Sequence, residues 1–598
     1  MRKVEFDSSK FGDVTSSHGK WSRRDFLKGA LVVSAGATTA GLAACAPTSA
    51  LTSDSAQSGQ LGSAAQQESP TATASARPWE GSAPKIAEDR ITETINTDVV
   101  VVGAGVAGMN AAAGASGEGA KVVVLEKAAT FSARGMDNGA IGSKLQKEHG
   151  IVIDPAEVLK YETQWDHGKL NQNLFKVWLY RSGEMFDEII DLVADAGYTS
   201  GFASGVMGGR EDLEPYYRMY QTNHGFAQSP EKLDADGKPI DAQHVYVGIL
   251  EEFALKHGAD IRYSTPAVQL IKDASGAITG VIARKEDGDY IQVNADKGVI
   301  LATGDISGNK EMVKEFCPMT LHNLGNGSGV VDAYMPQGCN TGDAITMGAW
   351  VGAVPQIAPA APMVHGFGFQ MGFGAHAVGW LQVNREGDRY HDEEPNEVSN
   401  ANAMMLQPGA QGWWLFDGGY ADKVLKMVPD NAGFGGTPMI DDSTAGMLEQ
   451  AVESGQVLKA DTLDELANKI GCPAASLKAT IERYNQVCAN GVDDDFAKRS
   501  VWLQGTSIDT APYYAANIMG MWFVTIYGLH CNAYSQVLNA DDNPIPNLFA
   551  VGNAQGDFFT DDYPLLTPGI SHGRAAVFGR LVGKALAKGK LYSLTPEV

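Results

Sequence analysis

The feature that most constrains this chain lies between residues 98 and 126. Asp98-Val99-Val100-Val101-Val102 is a nearly unbroken β-branched run, as expected of a strand buried on both faces in a parallel sheet. Gly103-Ala104-Gly105-Val106-Ala107-Gly108 follows at once. A small-residue segment from Met109 to Ser116 then reads as a helix, and Lys121-Val122-Val123-Val124-Leu125 reads as a second strand ending at Glu126. Each residue type has a physical task. Gly103 permits the tight turn, Gly105 lets the backbone approach a pyrophosphate, and Gly108 lets helix and strand pack closely. The helix N-terminus, with Val106 and Ala107 in its first turn, offers unpaired N–H groups to the phosphates. Glu126, with Lys127 beside it, is spaced to accept from a ribose hydroxyl. A lone Gly-rich turn is a weak signal, but strand, turn, helix, strand and acid in register predict a dinucleotide-binding βαβ unit.

Upstream of this unit the chain reads as an address. Ser22-Arg23-Arg24-Asp25-Phe26-Leu27-Lys28 precedes an apolar, Ala/Gly-rich stretch from Gly29 to Leu42, and Leu42-Ala43-Ala44-Cys45 follows. This order resembles a twin-arginine export signal ending in a lipobox. The apolar stretch is too short to span a hydrocarbon core of ~30 Å as a helix. The resemblance implies that Cys45 becomes a lipidated N-terminus and that the mature chain sits outside the cytoplasm, at the cell surface or in the periplasm, anchored to the cell membrane. Residues 1–44 carry seven basic and four acidic side chains, so their removal takes the net charge from −25 to −28. Residues 46–90 are rich in Ser, Thr, Ala, Gln, Gly and Pro and read as a flexible tether. We set the linker at 45–95.

Composition excludes several classes. With 71 acidic against 46 basic side chains and no basic cluster, the chain is not built to neutralise nucleic-acid phosphates. At 44% hydrophobic residues it can bury a sizeable core, so whole-chain disorder is excluded. The six cysteines show no C-x-x-C or C-x-x-C-H spacing, so no zinc, iron–sulfur or haem-attachment motif is present and no metal site is expected.

Which dinucleotide is bound follows from the rest of the chain. Ile261 to Val268 leads into a meander-like stretch, Ile278 to Ile291, with turns at Ser275-Gly276 and Asp287-Gly288. Lys297-Gly298-Val299-Ile300-Leu301-Ala302-Thr303-Gly304 follows. Near the C-terminus, Leu548-Phe549-Ala550-Val551-Gly552-Asn553 precedes a final helix from about Gly569. In these motifs the chain resembles the flavoprotein family of fumarate reductases, succinate dehydrogenases, urocanate reductases and 3-ketosteroid dehydrogenases, over roughly residues 96–590. The resemblance implies an α/β fold: a Rossmann-like FAD-binding domain of the glutathione-reductase type, split at 96–356 and 516–598, with an α+β capping domain inserted at 357–515. It also implies roles. Val268 matches a position whose backbone contacts adenine, Thr303 and Gly304 line the ADP half, and Asp343 matches an acidic position of a Gly-Asp-Gly segment. Asn553, after Gly552, stands where a Glu or Asp usually holds the ribityl chain. Gly569 and Ile570 would aim helix N–H groups at the flavin O2 edge. Family members with covalent FAD attach it through a His in the segment after the ribose acid; Ala128 to Gly142 contains none, so non-covalent FAD is expected.

In the substrate half the family pattern breaks. Ala360 to His365 and Trp380 to Tyr390, with Val383-Asn384-Arg385-Glu386-Gly387-Asp388-Arg389-Tyr390, resemble the start of the cap, and Arg385 and Arg389 are expected to organise its hairpin. Fumarate reductases use an Arg after that hairpin as proton donor, a Glu and an Arg before it, and another Arg in the C-terminal loop. Here the donor position falls at Glu397, no Glu or Arg lies between His365 and Asn384, and the loop carries Asp561 and Asp562. Two acids disfavour a dicarboxylate. Tyr563-Pro564 resembles the Tyr-Pro of 3-ketosteroid dehydrogenases and related ene-reductases, so Tyr563 is a candidate proton donor, with packing against the flavin as the alternative. His530 and His365 resemble the family's substrate-binding histidines, with a hydrogen-bonded core His as the alternative for both. Aromatics at Phe367, Phe369, Phe373, Trp380, Trp413, Trp414, Tyr216, Tyr217 and Tyr220 lean toward an aromatic or polycyclic acceptor, although such stripes commonly form core.

These readings converge on an exported FAD-dependent reductase of an activated C=C bond in a small organic acceptor, serving anaerobic respiration. With no haem motif and no second dinucleotide unit in the chain, a separate electron donor is expected, such as a cytochrome c or a membrane carrier. Two alternatives stay open: an FAD-dependent dehydrogenase of a ketosteroid-like substrate, and a solute-binding lipoprotein.

Overall fold

The computed structural model describes residues 77–595, apart from 136, 203–218, 230–231, 233–239, 324–329, 333–338, 368–377, 395–396, 430, 432–437, 561–562 and 565. The segment expected to be an export signal, Cys45, Phe369, Phe373, Tyr216, Tyr217, Asp561 and Asp562 lie outside the described residues, as do the side chains of Phe367 and Glu397.

Strand β1 (Ile91–Val102) runs through the middle of an eight-stranded sheet. It pairs in parallel with β2 (Val122–Leu125) on one side and with β3 (Tyr290–Leu301) on the other. Helix α1 (Val106–Gly117) makes the crossover between β1 and β2. Asp260–Arg262 extends the sheet beyond β2, and β4 (Pro544–Ala550) pairs in parallel with β3. Val100 and Val102 enter the core on one face, Val99 and Val101 that on the other, which is why the run contains no polar alternation. Each such buried valine contributes roughly 1.5–3 kcal/mol. Ala267–Lys272 and Ile278–Arg284 complete an antiparallel meander with β3. The final helix, α2 (Ile570–Lys588), packs against α1 at backbone distance. A Cβ on Gly579 would stand 2.3 Å from the Ala107 carbonyl oxygen, and one on Gly583 2.2 Å from that of Ala111.

Within the segment expected to be linker, 45–95, the described residues from 77 onward belong to the folded body. β1 begins at Ile91, because Ile91, Glu93 and Ile95 alternate with Thr92, Thr94 and Asn96 as a half-buried strand does and pair with Tyr290–Asn294. Residues 77–90 are also docked. Trp79 meets Phe316 with ring centroids 6.3 Å apart, and Trp350 Nε1 donates to the Pro78 carbonyl at 3.0 Å. An indole among small polar residues finds an apolar partner on the body.

The inserted unit is built on the antiparallel strands Leu381–Asn384, Gly412–Asp417, Tyr513–Asn517 and Val457–Ala460, paired in that order. Helices Leu463–Ile470 and Ala474–Asn490 cover it, with Leu381, Leu415, Leu466 and Tyr484 in a shared core. Its edges depart from 357–515. Strand Tyr513–Asn517 crosses the expected boundary, and Ala361–Phe367 pairs antiparallel with Met519–Ile526. The outgoing and returning chains thus satisfy one another's backbone groups at the neck of the insertion. Arg389 organises the hairpin as expected: it donates to both oxygens of Glu393, at 2.6 and 2.8 Å, and to both of Asp493, at 3.1 and 2.8 Å. Arg385 is exposed. Trp380 and Trp414 are buried in core, with Trp380 5.7 Å from the Phe416 ring, so the aromatic stripe is structural at these two positions. Among the described residues no helix is long and apolar enough to cross a membrane.

Candidate functional site

The nucleotide end forms where β1, β2 and β3 all terminate. Gly103 leaves β1 with φ +105°, a conformation open to glycine, and a Cβ there would stand 2.4 Å from the Ala302 carbonyl oxygen. Gly105 caps α1 without any side-chain hydrogen bond, and a Cβ on it would find no atom within 4 Å. The bare N-terminus of α1 therefore faces open space, as a pyrophosphate cradle requires, with Val106, Ala107 and Gly108 in its first turn. Glu126 accepts from the backbone N–H groups of Ala104 and Ala128, both at 2.7 Å. These bonds lock the carboxylate against the turn and leave lone pairs for a ribose hydroxyl. Lys127 Nζ donates to Asp343 Oδ2 at 2.9 Å and Thr341 Oγ1 at 2.7 Å, which ties two expected nucleotide residues into one ion pair. Thr303 Oγ1 accepts from the Ala344 N–H at 3.2 Å, and Gly304 turns the chain with φ +80°. Val268 lies in strand Ala267–Lys272, two residues after Pro266, which with Lys127, Ser264 and Arg284 lines a cavity of about 370 Å³.

At the other end, the N-terminus of α2 is reached through Gly569, whose φ is +79° and whose Cβ would stand 2.8 Å from the Gly139 nitrogen. Ile570 opens α2 fully buried and, like Gly569, without a side-chain cap on the helix. Asn553, just past Gly552, is engaged through both of its side-chain polar atoms. Its Nδ2 donates to Asp305 Oδ2 at 3.4 Å, and its Oδ1 accepts from Arg574 at 2.9 Å. Burial pushes the Asp305 carboxyl above its usual range, with Arg134 at 3.9 Å pulling it back. An amide at 553 thus links a buried acid to a buried base, where the family's own acid would repel Asp305.

Tyr563 is buried beside Phe559, with ring centroids 5.2 Å apart. Burial drives its phenol pKa up, while the backbone N–H of Ser571 and the Arg574 guanidinium act in the opposite sense. The hydroxyl therefore lies at the first turn of α2. The loop that carries it is pinned at both ends: Thr560 Oγ1 donates to Asp166 Oδ1 at 2.9 Å, and Thr567 Oγ1 donates to Glu162 Oε1 at 2.8 Å. Glu162 stands on helix Pro155–Trp165 and Asp166 caps its C-terminus, four residues on, so one helix face holds both ends. Burial raises the Glu162 carboxyl to about 8, with Asp166 adding to the rise and Thr567 opposing it. Tyr220 also reaches this loop, its backbone N–H donating to the Leu566 carbonyl at 2.8 Å.

Both ring nitrogens of His530 face carboxylates: Nδ1 is 2.6 Å from Asp557 Oδ2 and Nε2 3.1 Å from Asp542 Oδ1, so an acyl oxygen would have to displace one of them. The chain leaves the ladder with Ala361–Phe367 at Ile526 and bends, and His530 N donates instead to the Val354 carbonyl at 2.9 Å. His365 is buried on strand Ala361–Phe367, with its ring edge-on to Phe523 at 5.1 Å. Sequence reasoning missed Glu162, Asp166, Asp305 and Arg574. Only Arg574 carried a signal, as a basic residue one turn inside a helix whose start was expected to face the cofactor.

The sequence profile of the family described as FAD binding domain matches residues 98–564. The chain is 28% identical over 514 residues to the vinyl phenol reductase of Lactiplantibacillus plantarum, covering 82% of this chain and 96% of that protein. It is 28% identical over 519 residues to a probable fumarate reductase of Shewanella frigidimarina, covering 84% of this chain and 77% of that one. Among solved structures, a 3-ketosteroid Δ4-(5α)-dehydrogenase from Rhodococcus jostii aligns with a TM-score of 0.63 at 23% identity, covering 84% of this chain and 99% of that chain. That last likeness is one of fold.

Proposed function

The chain belongs to the FAD binding domain family and is an FAD-dependent oxidoreductase, and on that premise we propose that it reduces an activated C=C bond in a small, neutral, aromatic or polycyclic acceptor. The observation that carries this reading is the position of Tyr563: a phenol sealed from water, set at the first turn of α2, on a loop pinned at both ends. Bound FAD, once reduced, supplies a hydride for the alkene β-carbon. The chain's own residues do the rest. Gly105 and the first turn of α1 would hold the pyrophosphate, Glu126 would accept from the ribose, and Gly569 with Ile570 would offer N–H groups to the flavin. Tyr563 gives its proton to the carbon α to the activating group. Ala128 to Gly142 holds no His, which supports non-covalent FAD.

The acceptor class rests on two supports. Asp561 and Asp562 precede Tyr563 in the sequence and repel a dianion. A relative named vinyl phenol reductase shows that a related chain acts on a neutral aryl alkene. A second reading, dehydrogenation of a ketosteroid-like substrate, is favoured by the Tyr563-Pro564 pair, since the same phenol can take up a proton. We further propose export by the twin-arginine segment, lipid anchoring at Cys45, and electrons from a separate cytochrome c or membrane carrier in anaerobic respiration.

Reduced and oxidised dye, each offered with a panel of aryl alkenes, enones and enoates, tests the proposal. Dye oxidation with an aryl alkene or enone is expected. Turnover in the dye-reducing direction alone establishes the dehydrogenase, and a colourless protein that takes up no flavin overturns both readings.

A further inference from the structure

Arg574 is a fully buried cation with no ion-pair partner among the described residues. Its hydrogen bonds go to neutral acceptors: Nη1 donates to the Gln555 carbonyl at 3.1 Å and Nη2 to Asn553 Oδ1 at 2.9 Å, while Nε has no acceptor. The guanidinium lies 5.2 Å from the Phe558 ring centroid and 4.7 Å from that of Phe559. The carboxylate reached through Asn553, that of Asp305, is matched to Arg134 at 3.9 Å. Burying a charge without a counter-charge is strongly unfavourable. A molecule that retains one uses it where negative charge appears during turnover.

Geometry identifies where. Arg574 sits three residues beyond Ser571 on α2, hence on the same helix face. Helical side chains lean toward the helix N-terminus, which directs the guanidinium toward the turn where the Tyr563 hydroxyl lies. Phe559 touches both groups, at 5.2 Å from the Tyr563 ring and 4.7 Å from the guanidinium.

We propose that Arg574 is the counter-charge of the Tyr563 oxyanion, a positioning residue that acts through Tyr563 rather than on the substrate. This rests on the reading of Tyr563 as proton donor. In that step the phenolic O–H bond breaks, the proton forms the new C–H bond at the α-carbon, and the electron pair stays on the phenolate oxygen. Among the described residues, the phenol also feels the Ser571 N–H, which favours the anion, and Asp137 and Glu162, which oppose it. Among the described residues the groups felt by Arg574 besides Tyr563 reduce to the Cys531 thiol; burial pulls the guanidinium down from its ordinary value, yet an arginine keeps its charge across the range in which a phenol ionises.

The test needs no acceptor, so its outcome is independent of whether the chain reduces alkenes. A fluorotyrosine, more acidic than tyrosine, is placed at position 563 of the flavin-loaded full chain, and its ionisation is followed by the 19F shift as pH rises. Arg574→Gln is expected to raise the midpoint by about one pH unit or more, and Arg574→Lys to leave it close to that of the unsubstituted protein. Arg574→Met, an apolar side chain suited to a slot beside two phenylalanines, gives the same comparison where Gln fails to fold. A midpoint that moves equally in the Lys and the neutral variants, or in neither, overturns the proposal.

Discussion

A phenol sealed from water, as Tyr563 is, holds its proton through the neutral range and releases it only toward a site that is gaining negative charge. Tyr563→Phe keeps the packing against Phe559 and removes only that proton, so turnover is expected to fall by ~10²-fold or more with flavin content unchanged. Steady-state rates beside the flavin absorbance of the same sample check it, and an unchanged rate returns the ring to packing. Glu162 makes a different prediction. Its carboxyl is raised from 4.5 to about 8 in the folded chain, so between those values the folded state holds a proton that the unfolded state has lost. Stability from this group is complete below about 4.5 and is lost as pH rises toward 8, by an amount on the order of a few kcal/mol. Glu162→Gln removes that loss. Thermal unfolding at pH 5 and pH 8.5 is expected to show a smaller drop in Tm for the variant than for the parent; equal drops show that Glu162 ionises normally. Tyr563 was singled out through a Tyr-Pro pair that precedes a helix. Glu162 was not, since nothing in Pro155–Trp165 distinguishes it from Glu157 until the fold lays Thr567 over it.

Elements divide along the same physical line. The β1–α1–β2 unit can be read from residue order because local sterics and burial on both faces write it into consecutive positions. The start of β1 at Ile91 could also have been read from alternation, but polar Thr and Glu between the isoleucines resemble the tether before them. His530 was singled out by resemblance to a family histidine, and its surroundings come from parts of the chain that no local pattern joins: Asp557 and Asp542 face its ring, and Gly528 just before it packs so closely that a Cβ there would stand 2.5 Å from the Ala554 carbonyl oxygen. The same kind of contact makes α2 testable as an element. Gly583→Ala forces α2 off α1, because the new methyl would meet the Ala111 carbonyl oxygen at 2.2 Å. A loss of about 1–3 kcal/mol in denaturant unfolding is expected, with weakened flavin retention, since α1 and α2 bring the two cofactor-facing N-termini together. Unchanged stability in Gly583→Ala means that the helices separate at no cost.

On the scale of the whole molecule, the split nucleotide-binding sheet with one inserted unit follows from motifs at its two ends, Gly103 to Glu126 and Gly552 to Ile570. The content of the insertion does not. Its core ion cluster joins Arg389, Glu393, Asp493 and Lys498 across a hundred residues, and no local pattern encodes such pairs. The leading segment makes a prediction about the assembled molecule. On the proposed export, a chain that holds its cofactor between α1 and α2 would have to fold around FAD before leaving the cytoplasm, where FAD is made. A twin-arginine signal carries folded cargo, so the proposed signal would reconcile cofactor loading with the proposed lipid anchor. Replacing Arg23 and Arg24 with Lys is therefore expected to leave a full-length, flavin-loaded protein in the cytoplasm, seen by cell fractionation with the flavin spectrum of each fraction. Cys45→Ser is expected to be exported with the same flavin content but recovered in the soluble extracytoplasmic fraction instead of the membrane. Export of the Lys-Lys variant at the parental level, or membrane retention of Cys45→Ser, refutes the corresponding half of this reading without touching the oxidoreductase assignment.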